Sequence, residues 1–423
     1  MNHKLVKLSS GLRVLTVPLP NLESVTITVW AKVGSRNESK KVGGISHFLE
    51  HMVFKGSKKR PSAKEIAEAV DAIGGEFNAA TSKQWTNFYI KARVEVLEKA
   101  FDVLSDMVLA PLLKKEDIER EKGVIIEEMA MYEDTPMMKI SDVFEQLIFK
   151  DSPLGYDIIG TKESVKNITR NDFERYRKTH YYSENMLVTV AGGIKEDKVL
   201  NLAKKYFGGL KKGEKKERQE FKSIQKGAQI KLHPKKKEQA HFILGFLGNP
   251  MDSKDRFVES VLAGLLGQGM SSRLFSEVRE KRGLAYSIRT YLDRYVDIGY
   301  IGTYAGVDVK RVDEAVKVTL DQHYGLASGV YKLSETELAK AKEYIKGHLA
   351  LSLEDTKNVN SFFGVKELIL GKTETPDEIF EGVDKVTKTD LVRLAKKLFV
   401  PERLNLAIIG PYKSQARFEK LLK

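Results

Sequence analysis

Residues 167–192 and 385–410 align without a gap, residue n with residue n + 218. Asp172 falls on Asp390, Phe173 on Leu391, Glu184 on Glu402, Val190 on Ile408 and Gly192 on Gly410. Each copy opens with a Thr, continues with apolar residues at helical spacing and closes with a short apolar run ended by Gly, which reads as cap, helix and strand. A distant repeat of this kind constrains the architecture before any local pattern does. The chain is therefore expected to be a tandem duplication, with halves at 1–212 and 228–423. A charged linker over 213–227, poor in large apolar residues, joins them. At 423 residues the chain is also longer than one hydrophobic core ordinarily supports.

Within the N-terminal half, Ser24 to Val33 is a β-branched run that predicts a strand. Helical patterns follow over 42–55 and 62–73, then strands at Glu76 to Ala80 and Trp85 to Ala92, then helices over 94–109 and 114–134. Strands and helices that mix without strict alternation predict an α+β fold of two homologous halves. In each half, helices would pack on a mostly antiparallel sheet.

Composition narrows the chemistry. The chain has no cysteine, which removes disulfides, thiolate metal sites and cysteine nucleophiles, so a catalytic metal would rest on His, Asp and Glu. With 42% hydrophobic and 30% charged residues and no apolar run near the ~18 residues that span a bilayer, the sequence reads as globular with no membrane partner. Residues Met1 to Leu8 alternate like a strand rather than forming a secretory leader, and a cytoplasmic location is the expectation. The net charge of +13 raises the question of nucleic acid. The densest basic runs, Lys211-Lys212 with Lys215-Lys216 and Lys235 to Lys237, lack interleaved aromatics and read as solvated surface, so no nucleic-acid partner is expected.

Chemistry concentrates in Gly43-Gly44-Ile45-Ser46-His47-Phe48-Leu49-Glu50-His51-Met52-Val53-Phe54. Ile45, Phe48, Leu49, Met52 and Val53 form one apolar helical face. His47 and His51, four apart, project together from the same helix and can grip one ion, with Glu50 beside them. H-x-x-E-H is the inverted zinc-peptidase signature. A catalytic zinc site usually takes three protein ligands. Glu128, 77 positions after His51, is the candidate third; it lies two helical turns from Glu121 on a shared face, whereas Glu127 points about 100° away.

Four stretches together resemble the insulinase/pitrilysin family of zinc metallopeptidases, in the short-chain branch that includes the β subunit of the mitochondrial processing peptidase. They are His47 to Gly56, Gly74 to Ala79, Glu121 to Glu128 with Tyr132-Glu133-Asp134, and Gly269 to Phe275 with the run to Tyr286. The resemblance spans essentially the whole chain. It implies one Zn2+ per chain on His47, His51 and Glu128, Glu50 as general base, and Glu121 as a supporting carboxylate. It also implies peptide substrates laid as an added strand along an edge carrying Asn78, with backbone partners from Ala79, Ala80 and Thr81. Arg279 and Tyr286 match the family's arginine/tyrosine pair near the scissile bond, with Arg282 the alternative arginine. In relatives of this length two chains enclose a chamber, so the expected assembly is a homodimer or a heterodimer with a related subunit, acting on extended or unfolded peptides. A non-catalytic scaffold subunit of the same family is the alternative. Shifting the zinc motif by the repeat offset lands on Leu265, Gln268 and Gly269, so the C-terminal half is expected to bind no metal.

Overall fold

The computed structural model describes residues 1–214 and 219–422; Lys215 and Lys216 of the basic linker lie outside the described residues. Along the chain, β1 (Lys4–Lys7), β2 (Arg13–Pro18) and β3 (Ser24–Ala31) lead into α1 (Ile45–Val53) and α2 (Ala63–Asp71). Next come β4 (Glu76–Thr81), β5 (Thr86–Arg93), α3 (Leu97–Leu109), α4 (Lys115–Asp134) and α5 (Pro136–Ile148). Then α6 (Lys162–Asn167), α7 (Arg170–His180), β6 (Met186–Gly192) and α8 (Glu196–Phe207) complete the first half. The second half runs β7 (Gln229–Pro234), β8 (Gln239–Gly248), α9 (Arg256–Gly267), β9 (Ala285–Arg294), β10 (Gly299–Asp308) and α10 (Val312–Ser328). It continues with α11 (Glu335–Ser352), α12 (Thr356–Leu370), α13 (Pro376–Asp384), α14 (Lys388–Leu398), β11 (Leu404–Gly410) and α15 (Ala416–Glu419).

The fold is α+β, with two sheets each packed by helices. Strand order is β1-β2-β6-β3-β5-β4 in the first and β7-β11-β8-β10-β9 in the second. The pairs β2–β6 and β7–β11 are parallel; every other ladder is antiparallel. The repeat seen in the sequence reappears with its boundaries intact, since α7 and α14, and β6 and β11, correspond end to end under the shift of 218. The cause is local chemistry. Thr169 and Thr387 each cap their helix reciprocally with Asp172 and Asp390, so both helices must start at the same place.

Two compact units emerge, and they are not the contiguous halves. One comprises Met1–Ala130, Tyr156–Gln219 and Leu351–Thr375; the other comprises Met131–Gly155, Glu220–Ala350 and Pro376–Lys423. Each half thus gives one helix to the other unit: α5 leaves the first half, and α12 leaves the second.

Strand periodicity explains why both sheets accept such a helix. In β3, Val25, Ile27 and Val29 face the core beneath α1, α3, α7 and α8, while Thr26, Thr28 and Trp30 point to the opposite face. There α12 covers them. Thr26 Oγ1 lies 2.7 Å from Thr356 Oγ1, and Asn360 donates to the Thr26 carbonyl at 2.7 Å and to Thr28 Oγ1 at 3.2 Å. Trp30 is fully buried and donates its indole N–H to Thr189 Oγ1 at 2.9 Å. In the second unit, Phe242, Leu244, Leu406 and Ile408 join the main core, and Ile243, Leu247, Ala407 and Ile409 pack with Ile140, Val143, Phe144 and Ile148 of α5.

Gly364 lets α12 settle on the sheet, because a Cβ there would come within 2.9 Å of the Trp30 ring. Gly364→Val should therefore destabilise the protein by about 1–3 kcal/mol through overpacking. Chemical denaturation measures this, and an unchanged midpoint would show that the contact has room to relax.

Candidate metal centre

Helix α1 begins at Gly44, whose φ of +90° is left-handed and suits glycine; a Cβ there would stand 2.5 Å from the Ile159 carbonyl oxygen. No side chain at that position can cap the helix, and a carboxylate six residues upstream does so instead. Glu38 accepts from the Gly44 amide at 2.6 Å and the Ser46 amide at 2.8 Å, and also takes the Ser46 hydroxyl, which in turn accepts from Tyr176. A buried anion at a helix N-terminus satisfies the orphan donors and the helix dipole together. Burial nevertheless pushes Glu38 up to about 7, against the hydrogen bonds that favour its charged form.

The apolar face of α1 (Ile45, Phe48, Leu49, Met52 and Val53) is buried in the core, leaving His47, Glu50 and His51 on the other side. α4 supplies the facing carboxylates. Glu128 Oε2 lies 3.7 Å from His47 Nε2 and 3.5 Å from His51 Nε2. Glu121 Oε1 takes the N–H of His51 Nδ1 at 2.9 Å, which leaves Nε2 as the lone-pair nitrogen turned toward Glu128. Lys55, one turn beyond His51, pairs with the other oxygen of Glu121 at 2.6 Å. Burial raises the Glu121 carboxyl, but the bonds from His51 and Lys55 outweigh it and hold the group below its ordinary value.

Among the described residues, His47, His51 and Glu128 form the group of three donors that can hold one ion, with all three ligand atoms within 4.8 Å of one another. Donors around a tetrahedral zinc at bond lengths of about 2.0–2.1 Å stand roughly 3.4 Å apart, close to the two imidazole–carboxylate separations. Charge points the same way. Burial drives His47 down to about 3, helped by the neighbouring His51, so its imidazole is neutral and able to ligate. Burial also lifts both Glu128 and Glu50. Carboxylates raised in this way lack a compensating positive charge, which a divalent cation supplies. The residues present fit zinc.

Glu50 stands beside the ligands, and the hydroxyl of Thr81 donates to its Oε2 at 2.6 Å. Thr81 ends β4, the last strand of the first sheet. Phe77, Ala79 and Thr81 turn toward the protein; Asn78 and Ala80 are exposed, and Asn78 Oδ1 accepts from the Ala79 amide at 2.8 Å. The outer edge of β4 makes no ladder among the described residues, so it can take an added strand, with the Ala79 amide exchanging its bond to Asn78 for one to that strand.

Residues 13–162 match the family described as Insulinase (Peptidase family M16), and residues 167–345 match the Peptidase M16 inactive domain. An uncharacterized zinc protease of Streptomyces coelicolor is 36% identical over 96% of this chain and 89% of its own length. Another, from Bacillus subtilis, is 38% identical over 95% of this chain and 97% of its own. The chain belongs to the insulinase family. A solved protease from Helicobacter pylori, 26% identical, superposes with a TM-score of 0.90 and covers 97% of this chain and 99% of its own. A Peptidase M16 inactive domain from Pseudomonas fluorescens, 19% identical, shares the fold at a TM-score of 0.89, covering 98% of this chain and 99% of its own. Membership of a zinc-peptidase family supports zinc-dependent peptidase chemistry in general for this chain.

Arg279 and Tyr286, paired in the sequence reading, lie next to one another in the second unit. The Arg279 guanidinium lies 5.2 Å from the centre of the Tyr286 ring, and Tyr286 is 81% exposed. Arg282 is instead tied to Glu277 at 2.6 Å. The counterpart of α1 in the second unit, α9, contains no histidine, and its buried Glu259 pairs with Arg294 at 2.9 Å. No helix of the described residues is long and apolar enough to cross a membrane. Sequence reasoning missed the roles of Glu38, Lys55 and the Thr81 hydroxyl. Lys55, four residues after His51 on the same helical line, carried a readable signal; Glu38 reaches forward over six to eight residues and Thr81 acts across the fold, and neither sits at a helical or capping spacing that would have marked it.

Two outcomes follow from this geometry. Glu121→Gln should weaken zinc binding about 10- to 100-fold by releasing the His51 ring, measured by competition with a chromophoric chelator. Because the His47 pKa is lowered, the unfolded chain accepts a proton that the metal-free fold refuses, and that fold should lose stability as pH falls from about 6.5 toward about 3. Histidine NMR of the metal-free protein should show His47 neutral throughout pH 8 to 5; a midpoint near 6.5 would contradict burial as the cause.

Proposed function

We propose that the chain is a zinc-dependent endopeptidase acting on extended or unfolded peptides, with one metal ion on His47, His51 and Glu128 and Glu50 as general base. The observation that carries this reading is the convergence of two imidazoles, that of His47 held neutral by burial, and a charge-deficient carboxylate on one point, with a second raised carboxylate alongside. Zinc, when bound, supplies a Lewis acid that polarises the peptide carbonyl and acidifies the attacking water.

The protein's own residues do the rest. Glu121 orients His51 and thereby its ligating nitrogen. Glu50, lifted by burial, accepts the proton from water as the new C–O bond forms, and delivers it to the amine nitrogen as the C–N bond breaks. The open edge of β4, with Asn78, Ala79, Ala80 and Thr81, receives the peptide as an added strand. We assign Arg279 and Tyr286 to the substrate carbonyl, where a guanidinium and a phenol would stabilise developing negative charge. The assembly we expect is a chamber closed by two chains, either identical or related.

Glu50→Gln should bind zinc at one equivalent yet lose hydrolysis of a quenched-fluorescent peptide library by about 10²-fold or more. Glu128→Gln should lose the metal itself, because it removes a ligand charge. Chelator should abolish wild-type cleavage. Full activity in Glu50→Gln would sink the assignment of the base, whereas a zinc-loaded wild type that cleaves nothing would favour a scaffold subunit.

A further inference from the structure

The residues that face α1 from β4 are those of one strand face: Phe77, whose ring lies 5.4 Å from Phe54, then Ala79, then Thr81. Thr81 is thus on the inward face of the strand whose outer edge is open, and its hydroxyl reaches Glu50 on the metal-binding helix. Its backbone is held firmly. Thr81 pairs with Thr86 in the β4–β5 ladder, the Ser82 amide donates to the Trp85 carbonyl at 2.8 Å, and Thr86 donates its hydroxyl to the Val33 carbonyl at 2.9 Å. The turn is fixed again where the Ser35 and Arg36 amides donate to the carbonyls of Ser82 and Lys83.

A threonine so placed is a rigid donor, because its branched β-carbon restricts rotation about χ1. Glu50 needs one. A glutamate's terminal torsion is broad and nearly two-fold, so an unrestrained carboxylate would present either oxygen in varying planes. The bond from Thr81 occupies Oε2 at a charge-assisted distance of 2.6 Å and leaves Oε1 without that partner.

We propose that Thr81 is a positioning residue for the general base: its hydroxyl holds Oε2 of Glu50 and so directs Oε1 to the proton of the attacking water. The inference rests on the proposed role of Glu50. It adds that the strand proposed to receive the peptide and the element aiming the base are the same piece of chain, so the register of a peptide on β4 and the orientation of Glu50 are set by one strand.

The test compares zinc-loaded wild type, Thr81→Val and Thr81→Ser on one quenched-fluorescent extended peptide, with zinc content measured for each. Valine keeps the shape and removes the donor, and serine keeps the donor. Thr81→Val should lower kcat about tenfold, a part of the ~10²–10⁴ that a base contributes, with KM and one equivalent of zinc retained; Thr81→Ser should recover most of that loss. A Val variant with wild-type kcat, or a Ser variant as impaired as Val, overturns the proposal. If zinc-loaded wild type cleaves nothing, the proposed function fails on its own account. A crystal structure of zinc-loaded Thr81→Val then still decides the positioning role: Glu50 spread over two orientations upholds it, and an unmoved Glu50 overturns it.

Discussion

A single imidazole, held at one nitrogen and free to ligate at the other, joins the two helices that matter most. His51 gives its Nδ1 proton to Glu121 and turns its Nε2 toward Glu128, and both carboxylates come from one face of α4. Seven residues of helix advance by about 10.5 Å, enough for two carboxyl groups to close on an imidazole from opposite ends. The spacing of the two acids in α4 is thereby matched to the size of a ring on α1. Everything else near the site, from the second histidine to Glu50, takes its position from α1 once that ring is clamped.

The clamp would be idle if α1 could slide, and its other end is secured by different means. The apolar face is embedded in the core, and the first turn is tied to the buried carboxylate of Glu38. The site is therefore electrostatically expensive in the absence of a cation. Acids at 38, 50 and 128 are all raised by burial, while only Glu121, with Lys55 beside it, sits below its ordinary value. Such an arrangement trades stability for a preorganised centre, as functional sites commonly do.

Much of this was legible in the sequence wherever the cause is local. The Thr-x-x-Asp caps at 169–172 and 387–390 begin identical helices, the β-branched run from Ser24 makes β3, and the H-x-x-E-H spacing puts both imidazoles on one side of α1. The pairing of Glu121 with Glu128 also followed from helical geometry. Most of what escaped depends on partners far away in the chain. α5 and α12 are ordinary amphipathic patterns, and no periodicity says which sheet will cover them. Thr81 offered a strand residue whose hydroxyl found its acceptor only in the folded protein. Glu38 is near in the chain, but the short segment between it and Gly44 has no periodicity from which its capping role could be read.

The exchange of α5 and α12 bears on how such a chain could have arisen and whether it can be divided. A protein whose halves each lend a helix to the other unit has the topology of a domain-swapped dimer made continuous by gene fusion. Cutting at the linker would not free a catalytic module. The N-terminal fragment would keep its metal ligands but lose the helix that shields Trp30 and the polar face of β3, exposing a tryptophan and a row of threonines that the intact chain buries. The half without a metal motif is in this sense a permanent chaperone to the half that has one, covalently attached and built into its sheet.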